Sequence, residues 1–477
     1  MKVNLAGFNF DADQIIRFSN YLKLNCKDSL LKAEFEKILF TPETISAAYA
    51  RISRSKKSVD KLRENAIEDI EKARKSNRMI VFDMGHSSIA EHAVFNFDII
   101  GISRYLTEYI QRTRLASYTE KSQRYVTLDG DFVIPSELQN DGDLEKEFVA
   151  TVQKQNEAYF DIYRSIKTYL ISNSHSESVE HLAEKAKQDA RYILALATKT
   201  QMGMTINARS IERLLKRLYA LNINEATDFA DKMYAKVMAI APSLIRYTKP
   251  SAYDKRLYIR EETADFNSKI ESVTHIDHTE DIENKIISTL LFRKNGNDFR
   301  QIANKVRQMS HSDKMRLIKN ELNGLETWDA LPRAFEMGNF TFQLKISSSC
   351  FAQLKRHRLA SIVESDYNPK YGFTIPKTVI RSGNQKIFEN IIKDTNQLYG
   401  KLQSKNVNIK NYILTNSQNR IVLFTFNLRE LSHFARLRQD KHAQWEIRDI
   451  ADKIVAQCKE IAPIVTSAIS GKDIFHP

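Results

Sequence analysis

The stretches Arg112-Thr113-Arg114-Leu115-Ala116-Ser117 and Arg356-His357-Arg358-Leu359-Ala360-Ser361 place the same basic signature twice in one chain. An alternating apolar run precedes each copy, at residues 95–99 and 340–346. Alternation with a period of two predicts a half-buried β-strand in front of each signature. An internal repeat of this kind indicates that the chain is built from two related halves.

Three further short elements recur downstream of the signature in the same order. They are Phe132-Val133-Ile134-Pro135 and Phe373-Thr374-Ile375-Pro376, Tyr192-Ile193-Leu194 and Tyr412-Ile413-Leu414, and Asn207-Ala208-Arg209 and Asn427-Leu428-Arg429. A length of 477 residues agrees with two domains of ordinary size. The stretch after Pro250 is charged and aperiodic, which is typical of a connection. We therefore predict domains at 1–250 and 268–477, joined by a linker at 251–267.

The overall charge favours anionic partners. The chain has 72 Lys and Arg against 59 Asp and Glu, a net charge of +13. Nucleotides, phosphorylated cofactors and nucleic acid all fit this charge, and so does a solvated basic surface without a specific partner. Cys26, Cys350 and Cys458 are far apart, so we expect neither a disulfide framework nor a metal site. The sequence shows no signal peptide and no apolar run long enough to span a bilayer, so we expect a cytoplasmic protein without a membrane partner.

Helical periodicity dominates the segments between the strands. Residues 41–78 and 144–190 combine apolar and charged residues at helical spacing, which predicts helices or helix pairs. Apolar residues from Leu431 to Ile461 follow the same spacing, so we predict one long final helix there. Ile102, Leu106 and Ile110 also have helical spacing, so the first pair of arginines should emerge at a helix end, followed by a loop.

The loop after the first signature carries groups that suit a phosphate. It contains two arginines, then Ser117, Glu120, Ser122 and Arg124. Guanidinium groups present paired donors to a phosphate monoester, and serine hydroxyls add neutral donors. Because a carboxylate would repel phosphate, Glu120 is better interpreted as an acceptor for N–H and O–H groups of a base or ribose. A surface loop with salt bridges is the alternative.

A second polar stretch lies just before the first predicted strand. It reads Gly85-His86-Ser87-Ser88-Ile89-Ala90-Glu91-His92. Two histidines and a glutamate could suggest a metal, but a spacing of six residues matches no helical ligand pair. We interpret the stretch as a hydrogen-bonding wall for a cofactor.

Together these motifs resemble the flavin-dependent thymidylate synthases. The resemblance rests on His86 to His92, on Glu120 to Arg124, and on Asn427-Leu428-Arg429 with Leu437-Arg438 and Ala443-Gln444-Trp445-Glu446-Ile447-Arg448. It covers nearly the whole chain as two copies. It implies an α/β (α+β) fold of two tandem domains, each a short-stranded, mainly antiparallel sheet with helices. It also implies FAD as cofactor and methylation of dUMP at C5, with methylenetetrahydrofolate and NADPH as co-substrates. Family members are tetramers whose active sites form where several subunits meet.

The two copies depart from the family pattern in complementary places. The first has Thr113 where the signature has histidine, and Leu218 where the second copy has Arg438. The second copy lacks counterparts of Ser122 and Arg124, and has Asn411 in the place of Arg191. We therefore expect each half to supply one wall of a composite site, in a homodimer of tandem chains that mimics the tetramer. Two of its four sites would be intact and two decayed.

The resemblance assigns roles to residues of both halves. The first half would supply His86, Ser88, Glu91, Glu120, Ser122, Arg124 and Arg191. The second half would supply Gln353, Arg356, His357, Arg358, Asn427, Arg429, Arg438 and His442. Substrate binding falls to Glu120, Ser122, Arg124, Arg191, Gln353 and Arg438. Catalysis falls to Glu120, Arg356 and Arg438. The flavin would contact His86, Ser88, Glu91, Arg356, His357, Arg358, Asn427, Arg429 and His442.

Two other functions stay open at this point. A catalytically altered or inactive relative could bind a nucleotide or RNA through its basic surface, although we consider nucleic acid the less favoured partner. An enzyme of the same fold could act on a different pyrimidine nucleotide, or carry another one-carbon unit. The matched residues chiefly contact phosphate and flavin, so they do not distinguish these substrates.

Overall fold

A computed structural model describes residues 1–11, 14–18, 20, 41–124, 130–174, 176–258, 270–405 and 408–474. Both halves contain four strands and several helices, in the same order. The first half contains β1 Lys2–Phe8, α1 Glu43–Arg51, α2 Val59–Glu68, α3 Ile70–Arg78, β2 Val94–Ser103, α4 Arg104–Ile110, β3 Ala116–Glu120, α5 Gly142–Asn173, α6 Val179–Ala190, β4 Lys199–Asn207, α7 Ala208–Ala220, α8 Asn224–Ile240 and α9 Ala252–Arg256.

The second half repeats the pattern from β5 onward. It contains β5 Val273–His278, α10 Ile282–Asn295, α11 Phe299–Gln308, α12 His311–Glu321, β6 Asn339–Ser347, α13 Ser348–Leu354, β7 Ser361–Glu364, α14 Lys377–Arg381, α15 Gln385–Lys405, β8 Asn419–Asn427, α16 Leu428–Arg438 and α17 Trp445–Ile461. Strands β2 and β6 include the two alternating runs, as predicted.

Each half forms one antiparallel sheet of four strands. The strand order is β1-β2-β4-β3 in the first sheet and β5-β6-β8-β7 in the second. The central pairs are in register, with Phe97 opposite Met204 and Phe342 opposite Phe424. All four of these side chains are buried. Alternation therefore turns one face of each sheet towards the core. The predicted fold class of two small, mainly antiparallel sheets with helices is confirmed.

A polar side chain caps the helix that follows each central strand. Ser103 accepts a hydrogen bond from Leu106 N at 2.9 Å, and Ser347 accepts one from Cys350 N at 3.0 Å. Asn207 and Asn427 cap α7 and α16 in the same way. An N-cap hydrogen bond typically stabilises a helix by about 1 kcal/mol. The asparagine of the repeated Asn-X-Arg element is thus a helix cap in both halves.

The chain divides into two compact units, and each unit consists of three separate segments of the sequence. Unit 1 comprises Met1–Glu157, Ala195–Thr263 and Asp394–Leu414. Unit 2 comprises Ala158–Leu194, Ala264–Lys393 and Thr415–Pro477. Each unit therefore contains a helical segment that belongs, by sequence, to the other repeat. The domains at 1–250 and 268–477 stay a prediction, and residues 259–267 of the predicted linker lie outside the described residues.

Two local predictions were wrong. The segment from Leu431 to Ile461 is two helices, because Gln444 starts α17 by accepting hydrogen bonds from Glu446 N and Ile447 N. The predicted loop after the first signature contains β3, which pairs with β4.

Two further findings concern the cysteines and the helices. Cys350 and Cys458 are free and buried, whereas Cys26 lies outside the described residues. Within the described part of the chain, no helix is long and apolar enough to cross a membrane.

Candidate functional site

The second arginine signature and α16 meet in unit 2 through one buried histidine. His357 is 2% exposed. Its Nδ1 lies 2.9 Å from Glu430 Oε1, and its Nε2 lies 2.9 Å from Arg438 Nε. Arg438 also donates from Nη2 to the Gln353 carbonyl at 3.0 Å. Two hydrogen bonds thus fix the guanidinium plane of Arg438.

These contacts determine the protonation of His357. Arginine can only donate, so Nε2 accepts and the ring proton is on Nδ1, which donates to Glu430. Burial lowers the pKa of His357 well below its usual value, and the charges of Arg438 and His433 act in the same direction. His357 is therefore neutral at physiological pH, and both ring nitrogens have partners within unit 2.

Glu430 is the acidic partner of His357. It is 2% exposed, and burial raises its pKa from 4.5 to about 7, although the charge of His433 opposes this shift. Because the pKa of Glu430 is higher in the folded than in the unfolded state, the contribution of this carboxyl group to stability is fully present below pH 4.5, where it is protonated in both states. That stabilisation is lost as the pH rises through about 7.

We expect Glu430→Gln to remove this pH dependence, because glutamine keeps the acceptor oxygen but does not titrate. Wild type should lose stability relative to the variant as the pH rises from 4.5 to 8, because deprotonation of Glu430 is harder in the folded state. Hydrogen exchange of unit 2 amides, compared between the two proteins at each pH, measures the difference. A constant difference between the two proteins would contradict the prediction.

The first repeat contributes Arg191 to the same unit. Arg191 follows α6 and is 5% exposed, and its Nε donates to the Gln188 carbonyl at 3.2 Å. Burial raises the pKa of the Cys350 thiol well above its usual value, and Glu446 adds to the rise. The charges of Arg438 and Arg191 both oppose it.

Gln353 completes this group. It is 8% exposed, and its Nε2 lies 3.5 Å from Gln444 Oε1. Unit 2 thus gathers Arg191 of the first repeat with Gln353, His357 and Arg438 of the second. We call these four residues the unit 2 cluster. It offers two cationic forks and one amide, which suits an anionic ligand that also carries an amide-like edge.

Unit 1 fills the corresponding positions differently. Asn411 stands in the place of Arg191, and its Nδ2 donates to Tyr105 Oη at 3.0 Å. Tyr105 Oη is in turn 2.7 Å from the hydroxyl of Tyr109, which stands in the place of Gln353. All three side chains are buried. Asn411 and Tyr109, which are linked through the hydroxyl of Tyr105, therefore occupy the positions that hold arginine and glutamine in unit 2.

Thr113 replaces histidine in unit 1 and has its own arginine partner. Arg217 Nη2 donates to Thr113 Oγ1. Arg217 precedes Leu218, the residue that sequence alignment places opposite Arg438. The cation has thus moved by one position along α7. Burial lowers the pKa of Arg217, and nearby Arg112 and Arg213 act in the same direction.

The remaining predicted residues of the first repeat lie in unit 1. Glu120 forms an ion pair with Arg104 at 3.2 Å and accepts a hydrogen bond from Gln111 Nε2 at 2.9 Å. The Ser122 hydroxyl accepts from Arg124 N at 3.2 Å. The helical turn before β2 exposes His86 and Ser88, whereas Glu91 forms an ion pair with Arg209.

The remaining predicted residues of the second repeat lie close in sequence to His357 and Arg438. Arg356 and Arg358 are exposed on either side of the buried His357. Asn427 caps α16, and Arg429 forms an ion pair with Glu336. The same pairing of Arg with Glu recurs in unit 1. His442 is exposed, and its backbone N–H donates to Asp440 Oδ1 at 2.8 Å.

Comparison with known proteins identifies the family. Residues 38–243 and 263–464 each match the family described as thymidylate synthase complementing protein. The chain belongs to this family. The matched segments correspond to the two repeats, so the predicted family and the prediction of tandem copies are confirmed. The prediction of an enzyme of this family is confirmed with them.

Relatives match either less than half of the chain or most of it. The chain is 32% identical over 212 residues to a flavin-dependent thymidylate synthase of Clostridium tetani, covering 44% of this chain and 83% of the relative. It is 24% identical over 444 residues to a UPF0159 protein of Thermoplasma acidophilum, covering 83% of this chain and 88% of the relative.

A solved structure is also similar. The crystal structure of a UMP/dUMP methylase from Streptomyces cacaoi has a TM-score of 0.35 and 17% identity, covering 41% of this chain and 92% of that one.

Proposed function

We propose that the chain methylates dUMP at C5 and releases dTMP. The methylene carbon of methylenetetrahydrofolate becomes the new methyl group, and NADPH supplies the two electrons that this conversion requires. The products are dTMP, tetrahydrofolate and NADP⁺. Membership of the thymidylate synthase complementing protein family supports this class of reaction.

One observation carries the proposal: Arg438 donates to the Gln353 carbonyl, and the Gln353 side chain is linked through Gln444 to Tyr192, the residue that follows Arg191 in the first repeat. Two guanidinium groups can together neutralise a phosphate dianion. An amide side chain can pair with the N–H and C=O groups on the edge of a uracil base. We assign Arg191 and Arg438 to the phosphate and Gln353 to the base.

The first repeat would add a second wall to the site. We assign Glu120, Ser122 and Arg124 to this wall, although Glu120 is already bonded to Arg104 and Gln111. Separate replacement of Arg124 and of Arg438 should each abolish dUMP binding if the site is composite. Normal binding by either variant would contradict the composite site.

The exposed arginines of the second signature fit a flavin cofactor. Arg356 and Arg358 project from a loop whose middle residue is buried, which suits an elongated anionic group such as the diphosphate of FAD. When bound, FAD would supply the hydride chemistry of the reaction. We assign His86, Ser88, Glu91, Asn427, Arg429 and His442 to the flavin environment.

The side chains of the chain would act by position and charge. Neutral His357 accepts from Arg438 and so fixes the arginine plane without adding a positive charge. Holding the nucleotide in one orientation converts a bimolecular step into a local one. Burial raises the pKa of both described cysteines, Cys350 and Cys458, so neither is a thiolate nucleophile.

We also propose a homodimer of tandem chains, with one nucleotide site per chain. The differences between the units support this stoichiometry, because Asn411, Tyr109, Thr113 and Leu218 occupy the positions in unit 1 that correspond to the four residues of the unit 2 cluster, and all four are buried. A cytoplasmic location stays a prediction. Light scattering should give twice the mass of the chain, and titration should give one dUMP per chain.

The decisive test is product formation. Purified protein should be mixed anaerobically with dUMP, FAD, methylenetetrahydrofolate and NADPH, and dTMP measured by mass spectrometry. We expect dTMP, with none when dUMP is omitted. Folded protein that binds flavin without forming dTMP would indicate a different pyrimidine nucleotide or one-carbon unit. Protein that binds neither flavin nor dUMP would overturn the proposal.

A further inference from the structure

A buried tyrosine next to Arg191 joins the first repeat to the second within unit 2. Tyr192 Oη donates to Glu446 Oε2 at 2.5 Å and accepts from Gln444 Nε2 at 2.7 Å. Its ring is stacked on Trp445, with 5.9 Å between centroids and 19° between planes. Tyr192 is fully buried, so these contacts are shielded from water.

A second anchor lies on the other side of Arg191. Asp189 accepts from Trp445 Nε1 at 2.9 Å and from the Thr378 hydroxyl at 2.6 Å. The Arg191 carbonyl itself accepts from Asn416 Nδ2 at 3.0 Å. The backbone on both sides of Arg191 is therefore held, and the start of α17 supplies a partner to each anchor.

Glu446 is the centre of the tyrosine anchor. Ser347 N donates to its Oε1 at 2.9 Å, and the Ser347 hydroxyl donates to its Oε2 at 2.5 Å. Burial raises the pKa of Glu446, whereas the hydrogen bonds from Ser347 and Tyr192 lower it. A buried carboxyl with several donors specifies one arrangement of its partners, because any other arrangement leaves a buried polar group unsatisfied.

Unit 1 contains the same anchor built from the opposite repeats. Tyr412 Oη donates to Glu225 Oε2 at 2.6 Å, and Glu225 also accepts from Ser103 N and from the Ser103 hydroxyl, each at 2.7 Å. The residue before this tyrosine is Asn411 instead of arginine. Both units thus contain the tyrosine anchor, but the tyrosine follows an arginine in unit 2 and an asparagine in unit 1.

We propose that Asp189, Tyr192, Trp445 and Glu446 are positioning residues that hold Arg191 in the nucleotide site. The proposal rests on the proposed function, since it takes Arg191 as a ligand of the dUMP phosphate. It gives the helix containing Trp445 and Glu446 an indirect role: these side chains act on the substrate through the backbone of Arg191.

The two anchors provide a matched pair of variants. Tyr192→Phe and Tyr412→Phe each remove one buried hydroxyl that donates to a buried carboxyl. We expect Tyr192→Phe to weaken dUMP binding to the full-length FAD-loaded protein about tenfold. Tyr412→Phe should change it less than about twofold, although the thermal midpoints of both variants should fall to a similar extent. Equilibrium titration with dUMP measures the binding.

A ligand without phosphate separates positioning from general loss of structure. Deoxyuridine binding, measured by displacement of dUMP, should be nearly unchanged in Tyr192→Phe. Equal weakening of dUMP and deoxyuridine would overturn the proposal, and so would equal effects of the two tyrosine variants.

Arg191→Ala distinguishes this proposal from the function on which it rests. If Arg191→Ala weakens dUMP binding while Tyr192→Phe does not, only the positioning role fails. If Arg191→Ala leaves dUMP binding intact, the assignment of Arg191 to the phosphate fails, and the positioning role fails with it. In the double variant Arg191→Ala and Tyr192→Phe, we expect no further loss beyond Arg191→Ala alone.

Discussion

We expect Arg438→Lys to lower the rate of dTMP formation by a factor on the order of a hundred or more. Arg438 donates through Nε to His357 and through Nη2 to the Gln353 carbonyl. Lysine keeps the charge but cannot present two donors in a fixed plane. Each hydrogen bond made by a charged group contributes about 1.5–3 kcal/mol, and each 1.4 kcal/mol is about tenfold.

The control for this variant lies on the same helix. Arg436 is two residues earlier in α16 and donates to the carbonyl groups of Thr327 and Asp329. Arg436→Lys makes the same chemical change away from His357, so its rate should stay within about threefold of wild type. If both variants lost dTMP formation to a comparable extent, the effect would belong to α16 in general, and the specific role of Arg438 would be contradicted. Steady-state kinetics with dUMP as the varied substrate measures both.

The sequence predicted those features that local patterns encode. Alternation predicted the central strands, and the repeated signature predicted two copies of one domain. The repeated Tyr-Ile-Leu element was also visible, but its meaning was not. Tyr192 and Tyr412 each reach a glutamate more than 180 positions away in the sequence, and no spacing pattern encodes such a pairing.

The exchange of helical segments between repeats left no local signal either. Residues 158–194 read as helix whichever unit contains them. The assignment depends on packing and on buried partners, which periodicity does not specify.

The charged residues show a second limit of sequence analysis. Glu446 and Glu430 lie near helix N-termini, where acidic residues normally face solvent and favour the helix dipole. Both are buried here. Glu430 gave one usable hint, since it precedes Phe434 by four residues and so lies on the apolar side of α16. Arg217 was missed because alignment compares position with position, and the cation of unit 1 had moved by one residue.

The second large effect concerns Phe434, which packs between the sheet of unit 2 and His357 of the unit 2 cluster. Phe434 of α16 is completely buried. Its ring centroid lies 5.4 Å from that of Phe424 on β8 and 4.9 Å from that of His357. We expect Phe434→Ala to reduce the stability of unit 2 by about 3–5 kcal/mol, because a large cavity replaces these contacts.

Hydrogen exchange measures this effect best, because a chain with two units need not unfold in one step. The protection of amides in β8 should fall by several powers of ten in Phe434→Ala. Leu437→Ala removes an apolar side chain from the same helix, but Leu437 is 45% exposed. Its cost should be about 0.5 kcal/mol, as for most surface substitutions. Similar protection in the two variants would contradict the prediction. The Phe434 ring also makes a T-shaped contact with His357, which orients Arg438. Phe434→Ala should therefore lower dTMP formation even at temperatures where unit 2 stays folded, whereas a purely structural contact would leave the rate unchanged there.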